Sequence, residues 1–228
     1  PEVDRMFAVP RTAYQGGLVV RVTSVLGAGA NRWTVEFDKI LEHAIGYLAQ
    51  TTKQGYFNTS SQREFERGEI RAKLQTDASF AGHGDRRGHT HARATIEGKI
   101  TKILLHQTSN VGKGTSTSSG EEEVKAIYRG TRMFIPLVEA SEQMCGVEKI
   151  DEALEADATV ALAAVKNGLS KALSHMKRHA GIRFTWTSEY WQSRFVEHEQ
   201  GEKLVADWGT KGLSYPRFSY LRRLAGMV

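Results

Sequence analysis

Residues 69–80 read EIRAKLQTDASF, and residues 91–106 read HARATIEGKITKILLH. In the first, Ile70, Ala72 and Leu74 alternate with Arg71, Lys73 and Gln75. That is the two-residue period of a strand with one apolar face and one wet, basic face. The second stretch is its natural partner, and together they predict a long antiparallel hairpin. Its tip, within SFAGHGDRRGHTHAR (79–93), carries His83, His89 and His91, the arginines Arg86, Arg87 and Arg93, and glycines at 82, 84 and 88. Glycines let a backbone approach a ligand closely, and arginine grips phosphate in a bidentate fashion. The hairpin therefore reads as a basic finger directed at a polyanion.

Around this hairpin the pattern is mixed. GLVVRVTSVL (17–26) is rich in β-branched residues, and GAGAN turns it into RWTVEF (32–37), which reads as a smaller hairpin. DKILEHAIGYLAQ places Ile40, Leu41, Ala44, Ile45 and Leu48 on one helical stripe, with Asp38 as its cap. QTSNVGKGTSTSSGEEE (107–123) has the Gly/Ser/Thr texture of a flexible loop, and VKAIYRGTRMFIP returns to β character up to Pro136. From Ile150 to Met176 an apolar stripe through Leu154, Ala161, Leu162, Val165, Leu169 and Leu173 predicts a long helix, with Gly181 as its stop. IRFTWT (182–187) reads as a strand, and Ser188 as the cap of a further helix. Strands first and helices after predict an α+β fold, an antiparallel sheet with the basic hairpin, backed by the long helix from the C-terminal half. Residues 1–16 read as an extended arm. Residues 17–228 read as a single domain, mainly β over 17–136 and mainly α over 137–228.

With 40% hydrophobic and 25% charged residues the 228-residue chain has material for an ordinary core. No apolar run reaches the length of a membrane span, and the first residues lack the apolar centre of a secretory signal. Cys145 is the one cysteine, which excludes an internal disulfide framework and fits a bland buried thiol in a reducing compartment. The net charge of +5 is patched, with 148–157 acidic and 211–223 free of acids.

Catalytic motifs fare poorly. His89 and His91 share a strand face, and His175 and His179 a helix face, so either pair offers two zinc ligands. HMKRH, however, lacks the glutamate of a zincin helix, and no carboxylate follows His91 at a standard spacing. HTH departs from the histidine-hydrophobic-histidine motif of single-strand nicking enzymes at Thr90, although Tyr190 would be available as their tyrosine. SNVGKGTST fails the Walker pattern, because Gln107 stands where the first glycine is needed and Gly114 follows Lys113. Glu121 to Glu123 read as a solvated charge run.

The sequence therefore predicts a non-enzymatic nucleic-acid-binding structural subunit that self-assembles, of capsid, nucleocapsid or strand-coating type. DNA or RNA would be met by Arg71, Lys73, Arg86, Arg87, His89, His91, Arg93, Lys113, Arg217, Arg222 and Arg223, the last three interleaved with stacking aromatics in YPRFSYLRR (215–223). No cofactor, metal or catalytic residue is expected, and the place is the cytoplasm or a virus-like assembly. Two alternatives stand beside it. One is a metal-dependent nuclease or nicking enzyme using His89 and His91. The other is a purely structural protein whose basic loop pairs with the acidic 148–157 face of a neighbouring copy.

Overall fold

The computed structural model describes residues 6–8, 16–52, 54–80, 87–112, 116, 118–168 and 178–227. At its centre the predicted hairpin is present. β3 (Arg71–Ser79) pairs antiparallel with β4 (His89–Glu97), from Arg71 opposite Glu97 to Ser79 opposite His89. The stretch 91–106 is not one strand. Gly98 to Thr101 turns it back into β5 (Lys102–Val111), closed by Gly98 N–H donating to the Thr101 carbonyl at 2.8 Å. The Glu64 carboxylate, on the short α3 (Gln62–Glu66), accepts the Ile100 and Thr101 amides at 2.8 Å each and so fixes this turn.

The sheet is mixed rather than antiparallel. β6 (Asp151–Ala156) lies parallel to β3 on its other side, from Arg71 opposite Asp151 to Gln75 opposite Glu155, and β7 (Phe195–His198) lies parallel to β6. With β1 (Met6–Ala8) and β2 (Phe57–Thr59) the order is β1-β2-β5-β4-β3-β6-β7. Part of the predicted arm is thus an edge strand of its own sheet. The long helix predicted over 150–176 is replaced by β6 and α5 (Thr159–Asn167). Alanine, glutamate and leucine are helix formers, but DEALEA is buried on both faces between β3 and β7, and that burial overrides propensity.

The helix that backs the sheet comes from the middle of the chain. α4 (Ser119–Cys145) runs through the stretch read as flexible loop and then strand. Ser118 caps it by accepting the Glu121 amide at 3.2 Å, Glu121 and Glu122 suit its positive end, and Gly146 ends it in the left-handed region at φ 65°. Val124, Ile127, Thr131, Phe134 and Val138 form its buried stripe. At Gly130 the helix crosses the sheet closely: a Cβ there would stand 3.1 Å from Leu74, Thr76 and Ala92 side chains. Cys145, expected to be buried, is exposed at the helix end.

Two further stretches read as strands are helices, so the division into a β half and an α half does not hold. α1 (Gly16–Gly29) replaces the first hairpin, and α6 (Arg178–Trp191) replaces the strand IRFTWT. In α6 the residues Phe184, Thr187, Ser188 and Trp191 are buried at the spacing of one helical face. Ser188 is interior and donates to the Val165 carbonyl at 2.7 Å instead of capping. The predicted helix after Asp38 is present as α2 (Val35–Gln50), capped by Thr34.

The two sheet faces are covered differently. Ala72, Leu74, Ala92, Ala94 and Ile96 meet α4, α5 and α6 in the main core. The face predicted to be wet is roofed by the C-terminal segment, a 3-10 turn at Val205–Gly209 followed by α7 (Tyr215–Leu224), whose Trp208, Leu221 and Met227 cluster with Tyr56 and Leu104. Beneath that roof His91 is 1% exposed, and a Cβ on Gly209 would overlap its ring. Burial, and then Arg93 and His89, press the His91 pKa down to about 3. Unfolded, this histidine takes a proton below about pH 6.5; folded, it does not. Stability is therefore full above that pH and falls as pH drops toward 3, by on the order of 4 kcal/mol over the window. His91→Leu is expected to lower the midpoint of acid unfolding followed by tryptophan fluorescence.

Candidate metal centre

The parallel ladder between β3 and β6 ends at Gln75 and Glu155. Beyond it the two strands are free to part, and Asp77 and Asp157 sit just past their paired residues. Crevices at the carboxyl ends of parallel strands, where neighbouring connections leave in opposite directions, are where open α/β sheets bind ligands. The N-terminal end of α4 brings Glu123 to the same place. One carboxylate oxygen from each of Asp77, Glu123 and Asp157 lies within 4.8 Å of the other two.

Three charges this close cannot all persist unaided. At an effective dielectric near 20, two like charges about 4.8 Å apart repel by roughly 3–4 kcal/mol. Without a cation the cluster holds protons instead. Burial, then Asp77 and Asp157, push the Glu123 carboxyl up to about 9, against the pull of Lys211 and the Ala78 amide. Burial is also the main cause that raises Asp77 to about 6, although Lys211 and Thr210 oppose it. Glu123 Oε2 is buried and without a hydrogen-bond partner. A buried carboxylate oxygen without a partner, in a cluster of three carboxylates, is one that a hard cation would satisfy. Oxygen donors alone suit Mg2+ or Mn2+ and disfavour zinc.

The surroundings are built from the same elements. Asp77 is fully buried, its Oδ2 accepting from Thr210 Oγ1 and its Oδ1 facing Lys211 Nζ at 3.4 Å. Lys211 also pairs with Asp207, which Arg217 approaches at 3.6 Å. The end of β7 and the segment after it wall Asp157: its carbonyl lies 3.1 Å from His198 Nε2, and a Cβ on Gly201 would stand 3.2 Å from its carboxylate.

The residues predicted to contact nucleic acid are scattered by comparison. Arg71 pairs with Glu197 at 3.0 Å and lies over the Phe195 ring, and Lys73 pairs with Glu155 at 2.8 Å and Glu97 at 3.3 Å. His89 and Arg93, like His91, are buried under the roof; His89 meets Ser109 and Arg93 donates to Gln75 at 3.3 Å. Arg217 donates to the Glu202 and Gly201 carbonyls and Arg222 to Gln54, while Arg223 is exposed. Arg87 is half-buried, and Arg86, Lys113 and His175 lie outside the described residues. The predicted basic face is thus largely neutralised by the protein's own carboxylates. Within the acidic stretch 148–157, Glu155 is bound to Lys73 and Gln75 and Glu152 to Tyr190 and Arg194, while Glu148 and Asp151 are exposed. Tyr190, bonded to Glu152, is committed away from the histidines.

No family model matches the chain, and no curated protein does. Among solved structures it is similar to the LC11 RNase H1 isolated from compost by a metagenomic approach, at 16% identity over 63% of this chain and 93% of that one, TM-score 0.42. The same RNase H1 in complex with an RNA/DNA hybrid matches at 14% identity over 62% and 93%, TM-score 0.39. The NurA nuclease from Sulfolobus solfataricus matches at 8% identity over 82% and 65%, TM-score 0.34. The expectation of a non-enzymatic capsid, nucleocapsid or strand-coating subunit is therefore corrected. It presumed a body without a candidate site, whereas Asp77, Glu123 and Asp157 converge in it, and the similar structures are RNase H domains and a nuclease, not coat proteins. Among the described residues no helix is long and apolar enough to cross a membrane.

Proposed function

We propose that the protein is a divalent-metal-dependent nuclease that hydrolyses phosphodiester bonds at Asp77, Glu123 and Asp157. The observation that carries this reading is the convergence of these three carboxylates at the carboxyl ends of β3 and β6, with one buried oxygen unpartnered. Mg2+ or Mn2+ held there would neutralise the charge of a phosphate group as a Lewis acid. The chain's own part is to hold the ligands rigidly. Thr210 fixes the Asp77 carboxylate, the β3 backbone at Ala78 orients Glu123, and the segment after β7 walls Asp157. The carboxylate trio thus replaces the histidine pair as the site of the metal-dependent nuclease reading, since His89 and His91 are buried, His91 against Gly209.

Nucleic acid is the partner of this reading. Arg87 precedes β4, whose first residue His89 pairs with Ser79 at the end of β3 that bears Asp77, which suits it to a phosphate contact; Arg86 and Lys113 lie outside the described residues. The test is a cleavage assay with labelled RNA/DNA hybrid, duplex DNA and single-stranded RNA. Cleavage of at least one is expected with Mg2+ or Mn2+, and its loss is expected on adding EDTA. Intact strands in every mixture with Mn2+ would overturn the proposal.

A further inference from the structure

Lys211 is the one side chain that brings positive charge directly onto a carboxylate of the trio among the described residues. Its position is set from both sides. Thr210, the preceding residue, is tied to Asp77 through its hydroxyl, and Lys211 N–H donates to the Asp207 carbonyl at 3.1 Å. From there the ammonium reaches inward to Asp77 Oδ1 at 3.4 Å and to the Asp207 carboxylate. Exposed lysine pairs contribute little, but Asp77 is fully buried, so this pair is not an ordinary surface contact.

The charges around the site give the arrangement its meaning. Asp77, Glu123, Asp157 and Asp207 are four carboxylates, and Lys211 and Arg217 are the two cations paired with them. The two remaining negative charges equal the charge of a single divalent ion. A second such ion would have to share Asp77 and Asp207 with an ammonium already seated between them. We infer that Lys211 is a positioning residue that occupies the second-cation place of the site, so that the chain loads one divalent ion and not two. The inference rests on the metal-centre reading above. It adds that the second cation common to two-metal phosphoryl-transfer sites is supplied here by the polypeptide.

The experiment counts bound ions on the full chain by titrating Mn2+ and reading free Mn2+ by electron paramagnetic resonance. The wild type is expected to bind about one Mn2+ per chain, Lys211→Ala about two, and Lys211→Arg, which keeps the charge, about one. Two ions on the wild type overturn the inference whatever the variants do. An unchanged count in a folded Lys211→Ala chain also overturns it, while leaving the metal centre standing. No bound ion on any of the three chains removes the metal-centre reading itself. Should Lys211→Ala fail to fold by circular dichroism, Lys211→Met keeps the aliphatic stem and is held to the same counts.

Discussion

Glu123→Gln is expected to leave the fold intact and to lower strand cleavage by roughly a thousandfold or more. The two outcomes separate because of the state of this side chain. With its pKa pushed up to about 9, Glu123 carries a proton in the metal-free protein at neutral pH. Glutamine has nearly the same shape and the same lack of charge, so the metal-free structure loses nothing by the change. A cation, however, must displace that proton to gain a carboxylate oxygen, and an amide offers a much weaker ligand. The same reasoning fixes a pH dependence. A carboxyl raised in the folded state stabilises fully below its unfolded value near 4.5, and that contribution is lost as pH climbs toward 9. Urea unfolding of the metal-free wild type should therefore show stability declining across this range, and Glu123→Gln should flatten the decline. A variant that unfolds, or one that keeps its cleavage rate, would show that Glu123 has another role.

Trp191→Ala is expected to lower stability by about 3–5 kcal/mol, read as a fall in the urea midpoint. Trp191 is fully buried in the main core at the end of α6. Its indole Nε1 donates to Thr131 Oγ1 at 2.8 Å, and its ring lies 5.7 Å from that of Phe134, both on α4. The side chain thus joins two of the helices that cover one face of the sheet. Alanine leaves a cavity and no donor, although Thr131 retains its own bond to the Ile127 carbonyl. Trp191→Phe keeps most of the volume and should cost less than half as much. Equal losses for the two variants would show that the hydrogen bond, and not packing, is the larger contribution.

These two side chains also show what could be read from the sequence. The β3–β4 hairpin was legible because Arg71 to Gln75 alternate cleanly. The use of its polar face was not, because nothing local announces that residues 205–211 will roof it. Alternation marks two chemically different faces; it does not say that the polar one meets water. DEALEA was misread for a related reason, since a strand buried on both faces has no period of two. The buried stripe of α4 was present in the spacing of Val124, Ile127, Thr131 and Phe134, but β-branched residues and Pro136 obscured it.

The carboxylate trio was the least visible feature. Asp77 lies in a strand, Glu123 in what resembled a charge run, and Asp157 at the end of an apparent helix. No fixed spacing joins them, because their meeting depends on the parallel pairing of β3 with β6. A single signal was available: Asp77 continues the odd-numbered positions of β3, and so shares a face with Arg71, Lys73 and Gln75.

That parallel pairing also governs when the protein becomes competent. β6 enters the sheet beside a strand made some 80 residues earlier, as the Arg71–Asp151 register shows, and the Asp77 clamp comes only with Thr210 and Lys211. During synthesis a ribosome-bound chain holds Asp77 and Glu123 long before it holds the residues that complete their surroundings. Asp77 and Glu123 therefore gain their full surroundings only once residues 151–211 have been made and packed against β3.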